Sequence, residues 1–276
     1  LGDGPGNVLI GRAAGAAMTI GDYNVAIGWN AYDGMTTADS NNNISIGKNA
    51  LGGSTAAISN NIAIGQDSLH HASYGVAVIN LAIGYGTGAS ITSGTRNVLI
   101  GHAAGGDQSS AADCTAVGYN ALKVATGANN TVVGSMAADQ IITGEGNTVA
   151  GGYALGAADN DEDFNTAMGY SALGSINDDD GDNNVAVGYN AGRYHDTGSG
   201  NVALVAAQKC VFIGDTARAS SGWNTANRAV NQIAIGYNAL AIGNNTIALG
   251  DTNITAIKGQ VDFAAHSDRR IKRDIK

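Results

Sequence analysis

The sequence predicts an all-β fold, a parallel β-solenoid of about fifteen short coils in which each coil adds one strand to a stack. Three observations predict it. The 276 residues include 41 glycines and only 1 proline, a five-residue apolar unit recurs at nearly constant spacing, and apolar residues alternate within each unit. Because 44% of the residues are hydrophobic, the chain is too apolar for a disordered linker.

The recurring unit reads Asn, apolar, small or apolar, apolar, Gly, and we call its last residue the marker glycine. Successive marker glycines lie 16 to 19 residues apart over most of the chain, and the length differences fall in segments rich in Gly, Ser, Thr, Asn and Asp. Near the end the spacing shortens to steps of seven, which predicts a minimal coil of 14 residues. The marker glycines of the regular part are Gly11, Gly28, Gly47, Gly65, Gly84, Gly101, Gly118, Gly134, Gly151, Gly169 and Gly188.

The residues of one unit predict how a coil is covered on its two sides. In the unit from Asn24 to Gly28, alternation places Val25 and Ile27 on one face and Ala26 on the other. Since both faces are apolar, both need cover, and we expect the alanine side to make a close contact with another chain. We also expect the repeated asparagines to stack as an amide ladder and the glycines to admit a neighbouring backbone.

Alanine also recurs three positions after the marker glycine, as at Ala121 and Ala172. If these alanines lie between chains, replacing either with a bulky residue should disrupt assembly by overpacking.

Charge and hydropathy exclude several partners. The chain has a formal net charge of −9, and without its last ten residues, which add a net +3, the body carries −12. An acidic body repels nucleic acid and anionic lipid, and no apolar run approaches the roughly 18 residues of a membrane span. We therefore expect neither nucleic-acid binding nor membrane insertion. Leu1 is not an initiator methionine, so we expect a fragment.

The units from Asn7 to about Asp251 resemble the head repeats of trimeric autotransporter adhesins. The resemblance implies left-handed parallel β-rolls wound side by side in a homotrimer. Most coils of this chain are longer than the 14-residue coils typical of that family.

The C-terminal sequence, Ser-Asp-Arg-Arg-Ile-Lys-Arg-Asp-Ile from Ser267, resembles the opening of the endosialidase-type intramolecular chaperone of phage tail fibres and tailspikes. The resemblance implies that the chaperone trimerises the fibre and then cleaves itself off between His266 and Ser267, with Lys272 assisting. It divides the chain into a repeat shaft (1–250), a neck (251–266) and the start of the chaperone (267–276).

Together the two resemblances imply an extracellular phage tail fibre that attaches the virion to its host. The implied partners are two identical chains, a glycan or protein of the host cell surface, and other tail proteins of the virion. Apart from self-cleavage by Ser267 and Lys272, no enzymatic activity is expected. The head of a bacterial trimeric autotransporter adhesin and a polysaccharide-degrading tailspike are the alternative functions.

Two features are candidates for receptor binding. Trp223 lies in the longest departure from the repeat, between Asp215 and Gln232, among small hydrogen-bonding residues, and it either contacts a saccharide or covers the coil beneath. The residue after the marker glycine is often aromatic, and such a stripe either grips sugars or packs between chains. Its members are Trp29, Tyr85, His102, Tyr119, Tyr170, Tyr189 and Tyr237.

The remaining polar candidates are expected to be structural, so no cofactor and no metal is expected. The acidic segments 159–163 and 177–182 contain oxygen ligands of the kind that Ca²⁺ prefers but match no calcium-binding pattern, so we interpret them as solvated loops. His70, His71 and His195 lack the spacing of a zinc site or a catalytic triad and are expected at the surface. Both cysteines replace the ladder asparagine and are expected to be buried thiols, Cys114 and Cys210.

Overall fold

The computed structural model describes residues 5–34, 40–53, 58–70, 79–158, 161–178, 181–196, 201–220 and 228–256. Within these ranges the fold is all-β, with twenty short strands and no helix, and it forms the predicted parallel β-solenoid. The described residues accordingly contain no helix long and apolar enough to cross a membrane.

Fourteen strands form the main sheet, in which each strand pairs in parallel with the strand of the next coil. These strands are β1 (Val8–Ile10), β2 (Val25–Ile27), β3 (Ile44–Ile46), β4 (Ile62–Ile64), β5 (Leu81–Ile83), β6 (Val98–Ile100), β7 (Thr115–Val117), β8 (Thr131–Val133), β9 (Thr148–Ala150), β10 (Thr166–Met168), β11 (Val185–Val187), β15 (Val211–Ile213), β18 (Ile233–Ile235) and β20 (Ile247–Leu249). Every one lies inside a repeat unit, so the repeat indeed encodes one strand per coil.

Two smaller sheets occur only in the last third of the described chain. One has the strand order β13-β12-β16-β19, and the other pairs β14 with β17. Their strands are β12 (Tyr194–Asp196), β13 (Asn201–Ala203), β14 (Ala207–Gln208), β16 (Arg218–Ser220), β17 (Ala229–Val230) and β19 (Leu240–Ala241). They coincide with the part of the sequence in which the repeat loosens.

The register of the main sheet explains these additions. Val185 pairs with Val211, and Val211 pairs with Ile233, so two successive coils are longer than the regular ones and accommodate the extra strands. The next pair, Ile233 with Ile247, is offset by 14 residues. The minimal coil of 14 residues is therefore confirmed.

The alanine face of the strands lies inside the coil, which corrects the expectation of a close contact between chains there. Ala26 is fully buried within its own chain, whereas Val25 and Ile27 are only partly covered and face outward. Ala121 and Ala172 are likewise buried in the core of the chain. Alternation separated the two faces correctly, but it does not say which face is enclosed.

The predicted amide ladder is confirmed, and it lies in the core. The backbone N–H of Asn43 donates to Oδ1 of Asn24 at 2.9 Å, and the side-chain Nδ2 of Asn24 donates to the carbonyl of Ser40 at 2.8 Å. The same bond to the preceding ladder residue recurs along the stack. Each asparagine thus ties its strand both to the next strand and to the loop that closes the next coil, and an amide offers the donor and acceptor that this requires.

The marker glycines are required because the corners of successive coils touch. Gly28 has a φ of +139°, and a Cβ placed on it would lie 2.5 Å from the carbonyl oxygen of Gly47 in the next coil. An L side chain would be strained in this backbone conformation and would also clash with that oxygen. The prediction that glycine admits a neighbouring backbone is confirmed.

Where a strand points a large residue into the core, a glycine lies against that residue, so the interior is not overfilled. Most strands point alanine, serine or valine inward, but Leu99 and Phe212 also point inward and are fully buried. A Cβ on Gly105 would lie 3.0 Å from Leu99, and one on Gly192 would lie 2.5 Å from Phe212. Leucine often occupies the corresponding position of other coils, as at Leu173, so the small residue makes room for the large one.

Candidate binding surface

The first and third residues of the main-sheet strands form an apolar outer face. Valine, isoleucine, leucine and threonine predominate there, and Val133 and Met168 remain 45% and 46% exposed. With about 4.8 Å between strands, fourteen strands make this face about 65 Å long. A continuous apolar stripe of this length is unusual on a soluble monomer.

An aromatic column runs beside the outer face, at the corner that follows the marker glycines. Tyr85 stacks on His102 with ring centroids 5.0 Å apart, and Tyr170 stacks on Tyr189 at 5.8 Å. The predicted stripe therefore exists, and its rings touch from coil to coil in two runs, one of Tyr85, His102 and Tyr119 and one that includes Tyr170 and Tyr189. The sequence pattern missed Tyr153, which lies one position later in its coil and contacts Tyr170 edge to face at 5.6 Å.

The column is half-exposed along its length, so its ring faces are accessible in the single chain. The predicted members with large exposed side chains are Trp29, Tyr85, Tyr119, Tyr170, Tyr189 and Tyr237. Trp29 additionally carries a cation over its ring, because Nζ of Lys48 lies 4.9 Å from the ring centroid.

The residues predicted for self-cleavage and receptor contact lie outside the described part of the chain. This holds for Ser267 and Lys272 near the C-terminus, for His266 before them, and for Trp223, which falls between β16 and β17 in the sequence. Their roles stay predictions.

Two polar groups are more buried than the sequence indicated. His195 is buried in β12, because the second sheet encloses this insertion, so its prediction as a surface residue was wrong. Glu162, assigned to a solvated loop, is fully buried. Burial, aided by the nearby negative charges of Asp163 and Asp161, raises the pKa of Asp182.

Other acidic residues interact with cations. Asp178 lies 3.3 Å from Nη2 of Arg228, and Asp196 lies 3.6 Å from Nη2 of Arg218. Among the described residues, no three His, Cys, Asp or Glu side chains are grouped in a way that could hold a metal ion.

Both cysteines are free, buried thiols, as predicted. Burial raises the pKa of Cys114 and of Cys210. A thiol that resists deprotonation and is closed off from solvent is a poor nucleophile, so these two residues belong to the core rather than to a reactive site.

Comparison with known proteins adds no assignment, because no family model matches this chain and no curated protein sequence matches it.

Proposed function

We propose that this chain is the shaft of a homotrimeric, extracellular attachment fibre of a phage tail. The single observation that carries the proposal is the apolar outer face of the main sheet, which runs the whole length of the stack and is only partly covered within the described chain. The partners that fit this outer face are two further copies of the same chain. The outer face of a copy has the same length and the same spacing between strands, so the two faces can pack in register.

The size of the outer face supports this assignment. Three residues across and fourteen strands long, it offers about 650 Å² per chain. This is of the same order as the roughly 800 Å² that each partner contributes to a standard two-chain interface, and in a trimer it is shared between two neighbours. Partly covered β-branched side chains such as Ile46 and Ile64 would become fully buried there. The hydrophobic gain from that burial would supply the free energy of assembly.

The sequence resemblances supply the biological setting. The repeat units resemble adhesin heads, and the tail from Ser267 resembles the chaperone that follows phage fibres. On this proposal the fibre presents the shaft to a host cell-surface glycan or protein, and the self-cleavage by Ser267 and Lys272 completes assembly.

Substitution of the outer face tests the proposal. Light scattering should give three times the 27.6 kDa chain mass for the unaltered protein. Val133→Lys should lower that mass, because it brings one buried ammonium per chain to the interface. Ile142→Lys is the matched control, since Ile142 is 42% exposed but lies off the outer face, and it should leave the mass unchanged. A folded, monomeric unaltered chain would refute the trimer.

A further inference from the structure

One cavity combines the aromatic column with a guanidinium that lacks an anionic partner. It has a volume of about 270 Å³ and is lined by Tyr153, Tyr170, Ser171, Gly174 and Arg193. This volume is near the lower limit of about 300 Å³ for small-molecule sites and suits a single sugar ring. Ser171 and Gly174 line it together with the two tyrosine rings.

Arg193 differs from the other partly buried arginines of the described chain. Arg218 and Arg228 pair with Asp196 and Asp178, whereas Arg193 forms no ion pair with any described residue. Its Nη1 donates to Oδ1 of Asn190 at 3.0 Å. This bond orients the guanidinium, and its acceptor, the amide oxygen of Asn190, is uncharged.

The Nε of Arg193 is a donor that no described acceptor uses, as are the Nε atoms of Arg218 and Arg228. It is buried and has no hydrogen-bond partner among the described residues, and the guanidinium lies 5.1 Å above the ring of Tyr194. Arg193 therefore differs from Arg218 and Arg228 in having no carboxylate partner among the described residues, and a carboxylate can accept from two N–H groups of one guanidinium at once. Although the chain carries a net charge of −9, a guanidinium that has no ion-pair partner among the described residues and lies beside a cavity points to an anionic ligand.

We infer that this cavity binds an acidic saccharide, with the carboxylate of a uronic-acid-type sugar on Arg193 and the apolar face of its ring on Tyr153 and Tyr170. The two rings are 46% and 49% exposed and meet edge to face, so a ligand can stack on one while touching the other. A single chain supplies every residue of the cavity, so binding of the saccharide does not depend on the trimer. The inference rests on the proposed function only in taking the saccharide to be part of a host cell surface.

Three probes separate the parts of the site. Methyl β-D-glucuronide carries both ring and carboxylate, methyl β-D-glucoside carries only the ring, and acetate carries only the charge. Saturation-transfer NMR and titration of the full chain should show the glucuronide binding about tenfold or more tightly than either of the others, as one charge-assisted hydrogen bond predicts. Work at about 150 mM salt screens the distant carboxylates, since the Debye length is then about 8 Å.

Variants assign the contacts. Arg193→Gln should abolish the preference for the glucuronide over the glucoside, Arg193→Lys should retain part of it, and Tyr170→Ala should weaken both sugars. Tyr85→Ala removes a ring from the same column away from the cavity and should change neither. Thermal melting checks that each variant folds. If Arg193→Gln does not fold, the test rests on Arg193→Lys, whose preference for the glucuronide over the glucoside should be smaller than that of the unaltered chain.

Equal affinity for glucuronide and glucoside, no binding of either, or a glucuronide affinity equal to that of acetate would each overturn the site. The mass of the same sample, measured by light scattering, is a separate result. A monomer that still prefers the glucuronide contradicts the fibre but not the site, and a trimer without the preference contradicts the site alone.

Discussion

The inner and outer faces of the main-sheet strands are both apolar, yet they follow different rules. Inward residues such as Ala167 are fully enclosed, and where the inward residue is large, as at Leu99, a glycine stands across from it. The outward positions, one and three residues before the marker glycine, vary without such compensation, as Val133 and Met168 show. An enclosed face is therefore recognised by compensation between positions, whereas an open face tolerates independent change.

The largest expected effect comes from breaking the inner amide ladder. Asn147 accepts from the N–H of Asn165 at 2.9 Å and donates to the carbonyl of Glu162 at 2.7 Å. Asn147→Ala deprives both buried backbone groups of this partner, which costs about 1 to 3 kcal/mol each. Denaturant unfolding at fixed protein concentration should show a loss of about 4 kcal/mol.

The adjacent outward residue provides the control for this prediction. Thr148 is exposed and precedes the inward Val149 on the same strand, so Thr148→Ala should change the unfolding free energy by less than about 0.5 kcal/mol. Equal losses for the two variants would mean that the ladder contributes no more than the surface.

A moderate effect is expected from overpacking the interior. Ala167→Leu adds three carbons to a filled core and should destabilise the fold by about 1 to 3 kcal/mol. Ala150→Leu makes the same change at an outward position of the neighbouring strand and should be nearly neutral, since β-branched residues occupy that column in other coils.

A rescue experiment tests whether compensation is the rule. Adding Leu173→Gly to Ala167→Leu reproduces the arrangement of Leu99 with Gly105, and Leu173 already has a left-handed φ of 50° that glycine accepts. The double variant should recover part of the lost stability. A strictly additive loss, measured in a double-mutant cycle, would contradict the pairing.

The repeat made much of this architecture predictable, because each feature depends on local chain geometry. The strand of each unit, the ladder through Asn43, the close approach at Gly28 and the burial of Cys114 all follow from one coil stacking on the next. These contacts join equivalent positions, so the spacing of the repeat reveals them.

Features that depend on the distance across a coil were not predictable in the same way. Alternation placed Ala26 and Val25 on opposite faces but could not show that the alanine faces the opposite wall of its own chain. The burial of His195 arises from an insertion that the repeat does not describe. The cavity at Arg193 likewise joins Tyr153 of one coil to an arginine two coils later, and only the structure brings them together.

The smallest expected effect is a gain of stability, from repairing the ladder where a cysteine interrupts it. Sγ of Cys114 lies 3.6 Å from the carbonyl oxygen of Gly127. In the next coil the equivalent residue, Asn130, donates from Nδ2 to the equivalent carbonyl, that of Gly144, at 2.8 Å. Cys114→Asn should bring Nδ2 within reach of Gly127 and offer Oδ1 to the N–H of Asn130. Because a buried hydrogen bond contributes about 1 kcal/mol net, the unfolding free energy should rise by about 1 kcal/mol.

Two measurements distinguish a repaired ladder from a mere change of volume at Cys114. Cys114→Val fills similar space without polar atoms and should give no gain. Hydrogen exchange should show the amide of Asn130 better protected in Cys114→Asn than in either the unaltered chain or the valine variant, because only asparagine supplies it with a strong acceptor. If the asparagine variant is no more stable than the valine variant and Asn130 exchanges at the same rate in both, the ladder does not act through bonds between successive residues, and its regular asparagines require another explanation.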